Sequence, residues 1–319
     1  LLAVHMMFAY IFSDTLQTLV AVPFYTLTPE MTPDYDERTE LTTYRMFFNL
    51  VASLVVAVAA PEIRNAAIQA GLTLSQSYLL ISGLFGGIGT IPFLIMFFVV
   101  REHNPQPPKQ TPSIKQIAET AWQNIPFRFA TGLYMLNWMT VDLVALMLPF
   151  FLTYWIAQGN LAAKMSFLNL SISLESVILG LMFITAIAAL PLWNWLSKIT
   201  SKRKAYIYGM GFWMVVQMLI IVVQPGQTAL ILTLTVLAGI SISTAHVLPE
   251  AIFPDVIEWE ELRTRRRHEG VYYGTKNFLR KLTGAIAIFL ALQALGWFGY
   301  QTPPEGATVF QQSSETVQV

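Results

Sequence analysis

The sequence predicts an all-α fold, a polytopic transmembrane helix bundle. Three observations carry this expectation. Apolar residues make up 55% of the chain and charged residues 12%, whereas a soluble domain carries about 25% charged residues. The apolar residues fall in long blocks rather than on amphipathic stripes, and a span needs roughly 20 mostly apolar residues. Finally, Lys and Arg sort to alternate loops between the blocks.

Eight spans are expected, at 1–28, 44–60, 78–100, 127–157, 171–196, 205–223, 228–253 and 270–298. The second is short and opens on Tyr44 and Arg45, so its edges are soft. The first begins without an initiator Met or a signal-peptide layout, and a polar tail follows the last. The chain is therefore expected to be an internal piece of a longer protein. Three spans over 1–100 form part of one bundle. Residues 101–126 form a middle loop, and 127–319 form a second bundle of five spans with a polar tail. The middle loop is Pro-rich at its start. From Ser113 it reads either as a short amphipathic helix on the membrane or as a plain linker.

Loops 28–43, 101–126, 197–204 and 254–269 hold twelve Lys and Arg, against two, Arg64 and Lys164, in the alternate set. The basic set is expected to face the cytoplasm and the protein to be a multi-pass component of the cell (inner) membrane. A net charge of zero gives no electrostatic footprint for nucleic acid. The absence of cysteine removes disulfides and thiolate metal sites.

Two stretches echo each other, "TPEMTPDYDERTEL" from Thr28 and "LPEAIFPDVIEWEELRT" from Leu248. Each places Pro near an expected helix end, where regular hydrogen bonding fails, and then sets carboxylates beside arginine. They lie six spans apart with the same orientation, as a parallel repeat of two six-helix halves predicts. Glu30, Asp34, Asp36, Glu37, Arg38 and Arg45, with Glu250, Asp255, Glu258, Glu261 and Arg263, are thus candidates for a cytoplasmic gate of acid–base pairs. The competing reading is a solvated charge cluster at helix ends.

Charges inside spans are costly in lipid and usually functional. Helical rise puts Asp14 roughly 22 Å from Pro29, Asp142 roughly 21 Å from Arg128 and Lys281 roughly 18 Å from Glu269. All three reach the middle of a core about 30 Å thick. They define either a polar cavity or a structural ion pair, and their pairing is open at this point. Glu175 is expected near the outer surface. Arg45, Lys276 and Arg280 lie near cytoplasmic ends and are expected to snorkel. His246 could titrate near neutral pH or serve only as a hydrogen-bonding partner. Trp138 lies one turn before Asp142 and shares its helix face. Tyr134, Trp138, Tyr154 and Trp155 read as interfacial or packing aromatics, Trp138 alternatively as a ring stacked on a ligand.

The segments "VPFYTLTPEMTPDYDERTELTTYR" and "FPDVIEWEELRTRRRHEGVYYGTKNFLRKL" resemble the two signature regions of the glycoside–pentoside–hexuronide:cation symporters. This is the melibiose-permease-like branch of the major facilitator superfamily, and the resemblance runs nearly the whole chain in span order. It implies a bundle of major facilitator type with two pseudo-symmetric halves, incomplete at both ends and covering about helices four to eleven. It also implies that Lys281 is the helix-eleven lysine linked to cation and sugar coupling. Tyr25 and His246 fall at sugar-platform aromatics, and Asn277 belongs to the second signature. Ala21 and Met46 depart from the pattern, standing where the melibiose permeases place a carboxylate and a sugar-binding arginine.

The expected function is secondary active transport: symport of a sugar, glycoside or related solute by alternating access, coupled to H+ or Na+, with no other cofactor. The candidate solute contacts are Tyr25, Trp138, His246, Asn277 and Lys281. Asp14, Asp142 and Lys281 are candidates for cation coupling. The competing readings are a carrier of an amphiphile such as a lysolipid and a transporter-fold sensor or scaffold. An enzyme is not expected, since no HExxH, GxSxG or phosphate-cradling glycine loop is present.

Overall fold

The computed structural model describes residues 2–31, 35–99, 119, 122–161, 163–167, 170–264, 269–304 and 309–313. Among them, eight helices are long and apolar enough to cross a membrane. They are α1 (Leu2–Met31), α2 (Tyr35–Gln69), α3 (Leu74–Val99), α4 (Ile125–Phe150), α5 (Leu174–Ile199), α6 (Lys202–Ile221), α7 (Thr228–Thr264) and α8 (Glu269–Trp297). All eight expected spans are present. Large apolar side chains lie on the outside of these helices; Phe97, Phe98 and Phe129 are each more than three-quarters exposed. In water such a surface would aggregate; against lipid tails it is the stable arrangement.

Two helices outrun their expected ends. Helix α2 continues through Pro61 to Gln69. The segment after Pro61, "EIRNAAIQ", is too polar to score as a span, but it is rich in strong helix formers. Arg64, expected in a loop, therefore sits on a helix. Helix α7 continues through Pro249 and Pro254 to Thr264, where the sequence reading expected a break. Pro249 has no N–H to give the carbonyl of Ala245, four residues earlier. The buried side chain of Asn137 supplies the missing donor, Nδ2 reaching the Ala245 carbonyl at 2.9 Å. Asn137 is held in turn by the Tyr206 hydroxyl, which donates to its Oδ1 at 3.1 Å. A side chain from a neighbouring helix thus re-satisfies the backbone that a membrane-buried proline frees. Asn137→Ala is expected to leave that carbonyl unpaired and lower stability by about 1–3 kcal/mol, read as a drop in the melting temperature of purified protein in detergent.

The chain divides into two compact units, each drawn from three segments. The first comprises Leu1–Tyr44, Arg101–Leu136 and Pro249–Thr283; the second comprises Arg45–Val100, Asn137–Leu248 and Gly284–Val319. Helices α2, α4, α7 and α8 contribute to both. The core of the first unit is aromatic: Phe127, Phe253, Tyr272 and Tyr273 with Val256 and Ile257, and Tyr25 packs against it. Asn124 begins α4 there, its Oδ1 accepting from the Phe127 N–H at 2.9 Å and its Nδ2 reaching the Tyr272 hydroxyl at 3.3 Å.

In the second unit, Met46 and Leu50 pack on Met182, Ala186 and Leu190, with Trp213, Ile242 and Val247. Gly239 lets α7 lie directly on α5, since a Cβ there would run into Thr185 and the Met182 carbonyl. Close approach through small residues is how helices gain packing energy where lipid is as apolar as leucine. Helix α4 ends in a π-helical turn, Phe151–Ile156. The segment beyond it, expected as a loop over 158–170 and the start of the next span, holds an antiparallel hairpin of β1 (Lys164–Phe167) and β2 (Leu170–Ser173). Ser173 then caps α5, its hydroxyl oxygen accepting from the Ser176 N–H at 3.2 Å.

Candidate functional site

In the first unit, α1 presents Asp14 and Thr18 on one face, because residues four apart stack on a helix. Lys281 of α8 meets them. Its Nζ donates to Asp14 Oδ1 at 2.6 Å, to Thr18 Oγ1 at 2.7 Å and to the Asp14 carbonyl at 3.2 Å. The Thr18 hydroxyl donates to the same carbonyl at 2.8 Å. The pairing left open by the sequence is thus present. Protein covers most of both groups, with Lys281 28% and Asp14 36% exposed. The ammonium has a carboxylate, a hydroxyl and a carbonyl arranged around it, all oxygen ligands of the kind a small hard cation also takes.

A second ionised pair lies in the same unit, and the sequence reading missed it. Lys276, expected to snorkel to the membrane face, is fully buried at 0% exposure, and its partner Glu250 is 5% exposed. Nζ donates to Oε2 at 3.1 Å and to Oε1 at 3.3 Å, while the Tyr134 hydroxyl donates to Oε1 at 2.7 Å. The ammonium lies 4.5 Å from the centroids of Tyr134 and Phe253, 5.0 Å from Tyr273 and 5.7 Å from Tyr25. Tyr25 in turn stacks on Tyr273, with centroids 6.4 Å apart and planes within 13°. The misreading has a physical origin. With α7 ending near residue 253, Glu250 would stand at the membrane face. Because α7 runs on to Thr264, Glu250 lies roughly 21 Å back from the helix end.

The second unit holds the remaining intramembrane candidates. The Trp138 and His246 rings meet edge to face at 5.1 Å. His246 is buried, and its Nδ1 bonds the Ile242 carbonyl at 3.0 Å. A carbonyl only accepts, so Nδ1 is the donor in this bond. Asp142 is half-buried, and its carboxylate rests on the backbone of α8; a Cβ at Gly284 would lie 2.9 Å from Oδ2. Glu175, expected near the outer surface, lines a cavity of about 430 Å³ together with Arg64, Thr153, Asn160 and Lys164.

Asp14 and Lys281 are therefore brought together, Tyr25 joins Glu250 in one aromatic cluster, and Trp138 meets His246. Asn277, Arg45, Asp255 and Glu258 are half-buried. Asp34 lies outside the described residues, as do the side chains of Glu30, Asp36, Glu37, Arg38, Glu261 and Arg263.

Eight apolar spans with ion pairs built into their faces make this a multi-pass membrane protein of the polytopic helical-bundle class. The chain belongs to the MFS/sugar transport protein family, which it matches over residues 1–318. It is 26% identical to the uncharacterized symporter sll1374 of Synechocystis sp., over 88% of this chain and 64% of that protein. It is 25% identical to the uncharacterized symporter YjmB of Bacillus subtilis, over 89% of this chain and 58% of that protein. It is also 24% identical to the sodium-dependent lysophosphatidylcholine symporter 1-A of Danio rerio, over 92% of this chain and 58% of that protein. The chain spans less than two thirds of the length of these relatives.

Proposed function

We propose that the full-length protein is a secondary active symporter that carries a sugar, glycoside or related organic solute by alternating access, driven by a cation, H+ or Na+. The observation that carries this reading is the Asp14–Lys281 pair at 2.6 Å on two apolar spans. Ionised groups at such depth are expensive and mark ion or substrate pathways. Membership of a sugar-transport family and similarity to proteins named as symporters support it.

In this reading, the coupling cation takes the place of the Lys281 ammonium on Asp14 in the first unit, and Asp142 is a separate candidate carboxylate for cation coupling in the second. Tyr25 and Asn277 are the candidate solute contacts of the first unit, and the Trp138–His246 ring pair is that of the second. The acidic repeats after α1 and at the end of α7 act as cytoplasmic gates, with Glu30, Asp34, Asp36, Glu37, Arg38 and Arg45 on one side of the repeat and Asp255, Glu258, Glu261 and Arg263 on the other. Glu250 leaves this set, because it is buried against Lys276.

A lysophospholipid-class amphiphile is the second reading. It rests on the similarity to sodium-dependent lysophosphatidylcholine symporters and on Met46. The family pattern places a sugar-binding arginine there, and Met46 instead lies in a hydrophobic core.

The test uses the full-length protein in proteoliposomes. Labelled sugars, glycosides and lysophosphatidylcholine are supplied under an imposed sodium gradient or an imposed pH gradient. Accumulation of one solute class under one gradient is the expected result. Equilibration of every solute at the same rate with and without protein would overturn the reading. Gly284→Ala offers a finer check. The new methyl group displaces the Asp142 carboxylate, at a cost of about 1 kcal/mol for an off-rotamer side chain. The protein should fold normally, while its half-saturating cation concentration shifts by about fivefold.

A further inference from the structure

The Lys276 cluster has the composition of a site that binds cations. Aromatic faces attract an ammonium through their quadrupole, and cages of several rings are the means by which proteins hold alkylammonium groups. Here four rings stand within 4.5–5.7 Å of one nitrogen. The Glu250 carboxylate supplies the counter-charge at 3.1 Å. The Tyr134 hydroxyl fixes that carboxylate from the opposite helix at 2.7 Å. A buried ion pair made only for stability gains little over apolar side chains of the same volume, so the assembly of an acid, a phenol and three further rings around one amine points to recognition rather than packing.

We infer that α1, α4, α7 and α8 build an alkylammonium-binding cage whose resident ligand is the chain's own Lys276. The site is self-occupied. A free amine or a quaternary ammonium headgroup is excluded from it while the lysine side chain is in place, and gains access once the side chain is shortened. Lys281, five residues further along α8, pairs instead with Asp14 of α1, and that pair does not contribute to the cage's counter-charge. The inference does not rest on symport, because it is read as binding.

The experiment uses the full-length protein purified in detergent, with n-propylammonium as probe. Lys276→Ala removes three methylenes and the ammonium, which is the volume and charge of that ion. The variant is expected to melt several degrees below the unmodified protein. Propylammonium should raise its melting temperature saturably, most of the way back. Choline and tetramethylammonium should give smaller, saturable shifts, and 1-propanol none. The unmodified protein should respond to none of them. In Lys276→Ala/Glu250→Gln the affinity for propylammonium should fall about tenfold or more, because the charge-assisted hydrogen bonds are gone.

The proposal is overturned by the absence of stabilisation in Lys276→Ala, by equal shifts in the unmodified protein, or by equal shifts in the double variant. Cells expressing Lys276→Ala are grown with and without propylammonium as well. Recovery of folded protein only in its presence supports the cage; failure in both cultures counts against it.

Discussion

Glu250→Ala is expected to be among the most damaging single substitutions in the chain, lowering stability by about 3–5 kcal/mol. The reason lies with the residue left behind. Lys276 has no exposed surface, so removing the carboxylate strands an ammonium among rings and apolar side chains, unless it gives up its proton. The Tyr134 hydroxyl loses its acceptor in the same step. Glu250→Gln keeps the shape and the phenol's acceptor but removes the charge, and should fall between the two. The double substitution Glu250→Leu/Lys276→Met removes both charges together and should recover most of the loss, since buried pairs replaced as a unit are near neutral. Tyr134→Phe isolates the phenol's hydrogen bond at about 1–3 kcal/mol. Melting temperatures of the four variants in one detergent check the order. A double variant no more stable than Glu250→Ala would show that the cluster holds the first unit together by shape rather than by charge.

The reach of the sequence follows from the range of the physics involved. Spans were legible because hydrophobic length is a local property, and lipid demands it whatever the helix packs against. Boundaries governed by helix propensity were not: α2 past Pro61 and α7 past Pro254 both continue where hydropathy fades. The α7 case also depends on a distant residue. Nothing near Pro249 says that Asn137, more than a hundred positions earlier, will donate to the Ala245 carbonyl.

The site divides along the same line. Asp14 and Lys281 could be matched in depth from helical rise alone, and they do meet. Lys276 is not placed by its nearness to its own helix end, because its surroundings are set by Glu250 and by how far α7 extends. A lysine in "YYGTKNF", with Tyr272 and Tyr273 four and three residues before it on the same helix, was the available signal. Aromatic neighbours at helical spacing accompany a lysine that stays in the interior, and a snorkelling lysine does not need them.

Lys281→Ala in the full-length protein is expected to abolish accumulation of solute against a gradient while leaving the protein folded. Lys281 and Asp14 are 28% and 36% exposed, so removing one partner should cost less stability than at the fully buried Glu250–Lys276 pair. Thr18 remains bonded to its own helix carbonyl. Loss of uptake in a protein that stays folded separates coupling from folding.

The neutral pair Asp14→Asn/Lys281→Gln carries the argument further. Amide groups of similar length can keep a hydrogen bond between α1 and α8, so a role confined to helix packing predicts normal accumulation. A role in coupling predicts a carrier that still equilibrates labelled solute by counterflow and no longer accumulates it, because the Asp14 carboxylate that the driving cation would take over from the lysine is gone. Accumulation by the neutral pair would assign Asp14 and Lys281 to architecture alone. Counterflow without accumulation would place the energy-coupling step on this one 2.6 Å contact.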